Sequence, residues 1–326
     1  MEEKIDFVIT WVDGADNEWL NKKSLYQTGK EKIDDNNNRY RDWETLKYLL
    51  RSIEENASWV NKVFLITDNQ IPDWIDTECS KLRIVNHEDF IPKEYLPTFN
   101  SCTIEVNMHR IEDLSENFVY FNDDMILNKP VKTVDFFENN LPKDSLILSP
   151  ICASDNVATC INYNCMKIIN RHFVFSDIKK RLLKLKYGKY LFKNITLAVY
   201  PFNVGIRFHH LPTAYKKSIF QEIWNIENEL LSEVCYDRFR CERDVSQWLM
   251  QFWQLASGKY LERSVSTGKY YDLANGYRNA IKEIEKPKHK LVCLNDCEEV
   301  DNFEEKKREL IQVLQNRFPR KSIFEK

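Results

Sequence analysis

Over residues 1–130, the spacing of hydrophobic and polar positions switches repeatedly between two periods. Short apolar runs rich in β-branched and aromatic residues predict four buried strands, at 5–12, 63–67, 82–85 and 118–121. Between these runs, apolar residues recur every three or four positions, which predicts one helix from Arg39 onward and another over 101–114, with Ser101 as its N-cap. The alternation predicts the α/β class, with a mainly parallel sheet and flanking helices on both faces.

The rest of the chain has a different pattern. Residues 131–200 show no sustained period, whereas helical spacing returns after Pro212 and predicts helices at 218–234, 245–255 and 303–314. We therefore expect three parts within one domain: an α/β half over 1–150, a variable segment over 151–200, and a mostly helical C-terminal half over 201–326.

Glycine is scarce, with only seven residues in a chain of 326. This is roughly 2%, compared with about 7% in average proteins. No glycines are spaced as GxG and none begins GxxxxGK[ST], so the dinucleotide fingerprint and the P-loop are both absent. A protein of this composition can handle phosphates only with side chains and metal. The net charge of −3 gives no general electrostatic reason to bind nucleic acid.

The N-terminal residues and the cysteines predict a cytoplasmic protein. The first six residues contain neither a basic region nor an apolar one, so we expect no secretory signal. No apolar run approaches the ~20 residues that span a bilayer. The nine cysteines are an odd number without a CxxC pair, which favours reduced thiols packed as small apolar groups. The alternative, a zinc site at Cys293 and Cys297, lacks a second pair of ligands.

Carboxylates follow two of the predicted strands directly. Asp13 comes after the first strand, and Asp123 and Asp124 come after the fourth. In an open α/β sheet, ligands bind outside the carboxyl ends of the strands. Paired carboxylates at such an edge suit a hard cation such as Mg²⁺, although many acidic triplets of this kind are simple turns.

Other candidates are individually weaker. Glu105 and His109 are four residues apart on one helix face, where a surface ion pair is an equally good interpretation. His210 precedes Leu211-Pro212 in an extended or turn segment. Arg240 belongs to a group of three arginines over 238–243, which suits phosphate binding but also an ordinary charged surface. Together these residues favour metal-assisted phosphate chemistry.

A basic stretch occupies residues 179–189. Six of these eleven residues are Lys or Arg, interspersed with three leucines. A solvated helix face is the simplest interpretation of this pattern. The alternative is contact with an anionic acceptor or with the anionic inner face of the cell membrane.

Four segments resemble, in order, the four conserved blocks of the Stealth family. The first is IDFVITWVDG (5–14). The second is long: RYRDWETLKYLLRSIEENASWVNKVFLITDNQIPDWID (39–76), LRIVNHEDF (82–90) and LPTFNSCTIEVNMHRIEDLSENFVYFNDDM (96–125). The third combines HHLPTAYKKS (209–218) with RFRCERDVSQ (238–247), and the fourth is LVCLND (291–296). The four blocks extend over nearly the whole chain.

The resemblance implies a sugar-1-phosphate transferase with a Rossmann-like, GT-A-like nucleotide-sugar fold. Bacterial members of the family build capsular or cell-surface polysaccharides joined by phosphodiesters, and the animal relative is N-acetylglucosamine-1-phosphotransferase. The implied donor is a UDP-sugar, the acceptor is a hydroxyl of a glycan, which can be lipid-linked, and Mg²⁺ or Mn²⁺ assists. Residues 1–150 would then bind the donor, and 151–200 would face the acceptor.

The family motifs also imply site residues. The four that match the active-site set are Glu105, Asp124, His210 and Arg240. Donor binding is expected at Trp11, Asp13, Gly14, Arg39, Arg41, Asn100 and Ser101. Metal binding is expected at Asp123, Asp124, Asn295 and Asp296. Thr103 departs from the usual alanine of its motif, which places a hydroxyl near the site.

Two rival functions remain open at this stage. A metal-dependent glycosyltransferase would use the same strand-end acids but attack carbon and release UDP instead of UMP. A non-catalytic glycan-binding protein could keep the fold, although it would be free to lose some of the four matched residues. The sequence favours His210 as the general base, because an imidazole titrates near neutral pH, but Glu105 could either orient that histidine or take the proton itself.

Overall fold

The structure is a computed structural model, which describes residues 4–27, 41–296 and 300–326. Its strands are β1 (Ile5–Thr10), β2 (Val63–Thr67), β3 (Leu82–Asn86), β4 (Asn117–Asn122), β5 (Met125–Leu127), β6 (Phe137–Glu138), β7 (Leu141–Asp144), β8 (Thr213–Lys216), β9 (Leu261–Glu262), β10 (Gly268–Asp272) and β11 (Leu291–Asn295). Its α-helices are α1 (Asn17–Ser24), α2 (Leu46–Asn56), α3 (His87–Phe90), α4 (Ser101–Asn107), α5 (Val157–His172), α6 (Phe175–Lys179), α7 (Tyr190–Leu197), α8 (Lys217–Ile226), α9 (Asn228–Tyr236), α10 (Trp248–Ser257), α11 (Tyr277–Glu285) and α12 (Phe303–Arg317).

The central sheet has five strands in the order β3-β2-β1-β4-β8. The first four are parallel, and β8 pairs antiparallel with β4 at one edge. The inner strands consist almost entirely of buried residues because helices cover both faces of the sheet. The predicted α/β class with a mainly parallel sheet and flanking helices is confirmed.

Two hydrophobic cores lie on opposite faces of this sheet. Successive side chains of a strand point to opposite faces, so Val8 packs in one core while Phe7 and Ile9 pack in the other. The core around Val8 is covered by α4, α5, α8, α9 and α10. The core around Phe7 is covered by α2, α11 and α12. The C-terminal half therefore contributes helices to the covering layers on both sides.

A second sheet, in the order β10-β11-β5, lies next to the end of β4. The chain turns at Asp123 and Asp124 and continues as β5, which pairs antiparallel with β11. The backbone N–H of Leu294 donates to the carbonyl of Asp124 at 2.8 Å. This pairing places the end of β11, at Asn295, next to the turn formed by Asp123 and Asp124. A third small sheet has the order β6-β7-β9.

Several predicted boundaries were wrong. The first strand ends at Thr10 because Asp13 begins a turn, in which its side chain accepts the N–H of Ala15 at 2.8 Å. The helix predicted from Arg39 begins at Leu46, and Arg39 itself lies outside the described residues. The helix predicted to begin with Ser101 as its cap is capped instead by Asn100, which accepts the N–H of Cys102, and it ends at Asn107.

Later elements also differ from the prediction. The helix expected over 218–234 is two helices, α8 and α9, separated at Glu227. The basic stretch over 179–189 is no continuous helix, since α6 ends at Lys179 and only a 3₁₀ turn follows at Leu185–Tyr187. The predictions missed the seven strands β5 to β11 and several helices, among them α1, α5 and α11. The C-terminal part is nevertheless richer in helix than in strand, as expected.

Among the described residues, no helix combines the length and the apolar character needed to cross a bilayer. The eight described cysteines are all free, and four of them are buried: Cys102, Cys165, Cys235 and Cys293. Cys297 lies outside the described residues.

Candidate active site

A cleft of about 1410 Å³ opens at the carboxyl ends of β1 and β4. From β1 the chain continues outward to β2 and β3 on one side, whereas β4 lies on the other side of β1. Such a reversal of strand order is the usual ligand-binding point of an open α/β sheet. The parallel register pairs Thr10 with Asn122, so the segments that follow both strands enter the same cleft.

Asp124 is surrounded by three side chains from distant parts of the sequence. Asn295 Nδ2 donates to Asp124 Oδ2 at 3.2 Å, and the Cys293 thiol donates to the same oxygen at 3.4 Å. His210 Nε2 lies 3.6 Å from that oxygen. Burial alone would raise the pKa of Asp124, but these three partners, His210 foremost, hold it below its ordinary value. Asp124 is therefore ionised throughout the neutral range.

The acidic turn has free coordination capacity. Asp124 Oδ1 and Asn122 Oδ1 are buried and have no hydrogen-bond partner among the described residues. Burial and then the charges of Asp124 and Asp42 raise the pKa of Asp123 to about 8. Crowded acids with unpartnered oxygens, at the end of a strand, fit a divalent cation with oxygen ligands.

A softer set of donors lies at the same place. Carboxylate, imidazole and thiol atoms of Asp124, His210 and Cys293 lie within 4.8 Å of one another. The thiol is fully buried and already donates to the carboxylate. The unpartnered oxygens of this turn therefore favour a hard cation over zinc.

Glu105 is a second acid in the same cleft, with a different environment. It lies on α4, and Tyr120 donates to its Oε1 at 3.2 Å, while the hydroxyls of Tyr120 and Thr10 are 2.9 Å apart. Burial raises the pKa of Glu105 to about 7, against the opposing effects of the Arg240 charge and the Tyr120 hydrogen bond. Glu105 can therefore gain or lose a proton near neutral pH.

Asn100 connects the helix that carries Glu105 to the loop that carries Arg240. Its side-chain oxygen caps α4, and its amide nitrogen donates to the carbonyl of Asp237 at 3.2 Å and to Asp244 Oδ2 at 3.0 Å. Phe99 stacks on Phe239 with ring centroids 5.3 Å apart. The fully buried Asn100 thus fixes two active-site elements relative to each other.

Comparison with known proteins shows which family the chain belongs to. Residues 3–31 match the Stealth protein CR1, conserved region 1, and residues 39–144 match the Stealth protein CR2, conserved region 2. The chain is 42% identical to the capsular polysaccharide phosphotransferase WcwK of Streptococcus pneumoniae, over 99% of this chain and 98% of that protein. The chain is a Stealth-family phosphotransferase.

Other similar proteins include the exopolysaccharide phosphotransferase cps2G of Lactiplantibacillus plantarum, which is 35% identical over 99% of this chain and 96% of that protein. Among solved structures, the galactosyltransferase LgtC, in complex with donor and acceptor sugar analogues, aligns over 95% of each chain with 8% identity and a TM-score of 0.41.

The four residues that the resemblance assigned to the active site all line the cleft. They come from four separate elements: Glu105 from α4, Asp124 from the β4–β5 turn, His210 from the segment before β8, and Arg240 from the loop between α9 and α10. His209, which precedes His210, also lines the cleft, and burial lowers its pKa to about 3, so it is neutral.

Some residues assigned to the donor or the metal have protein partners instead. Both carboxylate oxygens of Asp296 accept hydrogen bonds from Arg41, at 2.6 and 2.7 Å, and Trp43 Nε1 donates to one of them at 2.8 Å. Arg41 and Asp296 therefore form a bidentate ion pair in the cleft wall. Of the residues that directly follow β1, Trp11 and Val12 line the cleft, whereas Asp13 and Gly14 belong to the turn beyond them.

Of the remaining residues assigned to the site, some line the cleft and others pack behind it. Ser101, Asp123 and Asn295 line the cleft. Asn100 lies behind it, as described above. The Thr103 hydroxyl lies 3.5 Å from the carbonyl of Val234 and is fully buried, so the threonine faces the α4–α9 contact. His109 does not pair with Glu105, because its ring packs beside Phe220 and Trp224.

Three residues of the site were missed by the sequence analysis. Asn122 lies 3.2 Å from His210 Nε2 through its amide nitrogen, Tyr120 holds Glu105, and Asp42 adds charge next to Asp123. For Asn122 the signal was present, because it directly precedes the two aspartates. Tyr120 lies within a buried apolar strand, where the sequence suggests an ordinary core residue. Its role depends on its contact with Glu105 of α4, which only the fold shows.

Proposed function

We propose that this protein transfers a sugar-1-phosphate from a UDP-sugar to a hydroxyl of an acceptor glycan, forming a phosphodiester in capsular or cell-surface polysaccharide and releasing UMP. One observation carries the proposal: Glu105, Asp124, His210 and Arg240 meet in a single cleft at the point where the strand order reverses. The polysaccharide phosphotransferase names of the two relatives described above support it.

The donor would lie across the ends of β1 and β4. Trp11 and Val12 offer apolar surface for the base, and the acidic turn lies next to them on the neighbouring strand. No glycine-rich loop is available, so the diphosphate would contact side chains. Arg240 supplies a planar, permanent positive charge suited to the oxygens of the transferred phosphoryl group.

Asp124, with Asp123, Asn122 and Asn295, would hold Mg²⁺ or Mn²⁺. Asp296 is left out of this set because Arg41 occupies both its oxygens. When bound, such a cation supplies charge neutralisation for the diphosphate and for the departing nucleotide. The ionised state of Asp124 suits this role, since a carboxylate must be deprotonated to bind a cation.

Glu105 is the proton acceptor in this proposal. A general base works best when its pKa is near the working pH, and burial places Glu105 there. As the acceptor hydroxyl attacks the sugar-proximal phosphorus, its proton passes to Glu105, and the bond from that phosphorus to the bridging oxygen of UMP breaks. His210 is the second candidate, because its ring is oriented by Asn122 and lies beside Asp124.

Nucleotide release distinguishes the proposed reaction from its rivals. Incubation with a panel of UDP-sugars and candidate acceptors, followed by mass spectrometry, is expected to give UMP and a phosphodiester product. Release of UDP with a glycosidic product would establish a glycosyltransferase instead. Binding of a glycan without any nucleotide release, for every donor and acceptor, would favour the non-catalytic alternative. Asp124→Asn serves as the inactive control.

A further inference from the structure

An unusual number of large apolar side chains is exposed between residues 174 and 202. Eight are exposed in this segment of 29 residues: Val174, Leu183, Leu185, Phe192, Ile195, Val199, Tyr200 and Phe202. Leu185 is 89% exposed and Val199 is 78% exposed, which is far beyond incidental exposure of a core residue. We call this set of side chains the apolar face. Clustered exposed apolar groups of this kind mark interaction sites.

The side chains of α7 show that the exposure is directional. Asn194 is fully buried on this helix, and its side chain donates to the carbonyls of Leu146 and Leu182. At 100° per residue, Phe192 and Ile195 lie within about 60° of each other on the side away from Asn194, and Val199 follows in the turn after the helix. Leu197 and Ala198 pack against the core, so the helix is held on the side of Asn194 and presents Phe192 and Ile195 outward.

The neighbouring turns belong to the same unit. Lys179 Nζ donates to the carbonyl of Tyr200 at 2.7 Å, which joins the end of α6 to the end of α7. The rings of Tyr200 and Phe202 are 5.8 Å apart. Leu183 and Leu185 come directly after Leu182, whose carbonyl accepts a hydrogen bond from Asn194. Specific hydrogen bonds thus hold the apolar face in place, which sets it apart from a collapsed loop.

The charge of this segment favours one kind of partner. Between 174 and 202 there are seven Lys and Arg residues and one acid, Asp177. The ion pairs made by Lys180 with Asp177 and by Lys184 with Glu262 are at the surface, where such pairs contribute little and exchange readily. A surface that combines exposed aliphatic and aromatic groups with lysines matches an anionic lipid bilayer.

The apolar face lies next to the active-site cleft in the chain. Lys189 and Tyr190, at the start of α7, both line the active-site cleft, and Arg207 lies with its guanidinium carbon 4.6 Å from the Tyr190 ring centroid. Binding of a membrane at α7 would therefore place the cleft mouth next to the bilayer surface. Lys189, Arg207 and Lys269 would line the approach with positive charge.

We propose that residues 174–202 form a membrane-docking surface, on which the apolar face inserts into the headgroup region of an anionic bilayer while the surrounding lysines contact lipid phosphates. The surface lies outside the catalytic set and acts without it. Its consequence is to bring the cleft to glycan acceptors that are attached to membrane lipid.

Vesicle co-sedimentation of the full chain tests this proposal directly. Wild-type protein is expected to bind vesicles of phosphatidylcholine with roughly 30% phosphatidylglycerol, and to bind pure phosphatidylcholine vesicles much more weakly. The triple variant Leu185→Glu/Phe192→Glu/Val199→Glu is expected to lose at least about tenfold in binding to the anionic vesicles. Because all three positions are exposed, its thermal midpoint should match the wild type.

The matched control is Ile226→Glu/Ile323→Glu, which changes exposed apolar residues elsewhere and is expected to bind vesicles like the wild type. The proposal is overturned if the wild type does not bind anionic vesicles, or if the triple variant binds as well as the control. A wild-type dimer in light scattering that the triple variant dissociates would also overturn it, by identifying a second copy as the occupant. None of these readouts depends on the transfer reaction.

Discussion

The two acids of the cleft, Asp124 and Glu105, have environments that push their pKa values in opposite directions. Asp124 accepts hydrogen bonds from Asn295 and Cys293 and lies beside His210, so its pKa is held low. Glu105 is buried and accepts a hydrogen bond from Tyr120, and burial raises its pKa to about 7. When an active site separates two carboxyl groups in this way, it assigns them different tasks. Here the ionised acid is suited to a cation and the near-neutral acid to a proton.

The largest expected effect is that of removing the ionised acid. Asp124→Asn keeps the shape of the side chain but loses its charge, so we expect UMP release to fall by about 10³-fold or more. Mn²⁺ binding, followed by electron paramagnetic resonance, should weaken in parallel. Asp296→Asn is the control, because its carboxylate is engaged by Arg41, and it should retain Mn²⁺ binding. Unchanged Mn²⁺ binding in Asp124→Asn would contradict the assigned role.

Removal of the near-neutral acid is expected to cost about 10²–10⁴-fold in kcat. The wild-type rate should rise with pH as Glu105 deprotonates near pH 7, and Glu105→Gln should lose this dependence along with the rate. The matched variant His210→Gln should be slower but keep the rise. If the rise instead disappears in His210→Gln and persists in Glu105→Gln, the histidine is the base.

The same substitution has a stability consequence of defined sign. The folded protein retains the Glu105 proton up to about pH 7, whereas the unfolded chain releases it near pH 4.5. Glu105 therefore makes its full contribution to stability below about pH 4.5 and loses it as pH rises through 7. We compare the unfolding free energy of Glu105→Gln with that of the wild type by denaturant unfolding at two pH values. The difference should shift in favour of Glu105→Gln by on the order of 1–3 kcal/mol between pH 5 and pH 8. A difference independent of pH would contradict the raised pKa.

A smaller effect is expected at Asn100, which positions both Glu105 and Arg240 without lining the cleft. Asn100→Ala removes the cap of α4 and the contacts to the Arg240 loop, so we expect a loss of about 1 kcal/mol in stability and on the order of tenfold in kcat. Asn100→Asp keeps the cap acceptor but lacks the donors to Asp237 and Asp244. It should recover helix stability more than rate. Equal recovery of both would assign Asn100 a structural role only.

The smallest effect is expected at Asp13, in the turn beyond the cleft wall. Its carboxylate accepts the N–H of Ala15, and an asparagine oxygen can do the same. Asp13→Asn should therefore turn over within about twofold of the wild type. A large loss of donor affinity would show that the turn closes onto the nucleotide.

The two acids also differ in how far sequence could predict their surroundings. Asp124 follows a buried strand, and the spacing of hydrophobic residues alone places it at a sheet edge. The contact from Asn100 to Asp244 spans 144 positions, and the pair of Arg41 with Asp296 spans 255. No local sequence pattern predicts contacts over such separations. The role of Asn100 in joining two active-site elements, and the ion pair of Arg41 with Asp296, therefore become visible only in the fold.

The missed elements have similar causes. The short strands β9 and β10 contain no fully buried residue and pair with β7 and β11, so their hydrophobic pattern is weak. Helix α5 did carry a signal, since Ile161, Cys165 and Ile168 recur at helical spacing on its buried face. Polar residues between them obscured it.

The fate of one phosphorus atom tests the central claim most directly. A UDP-sugar labelled with ³²P at the sugar-proximal phosphorus is supplied with acceptor, and the products are separated into nucleotide and glycan. Transfer of sugar-1-phosphate predicts that the label moves into the glycan while unlabelled UMP is released. Label retained in UDP, with unlabelled sugar on the glycan, would contradict the proposed reaction.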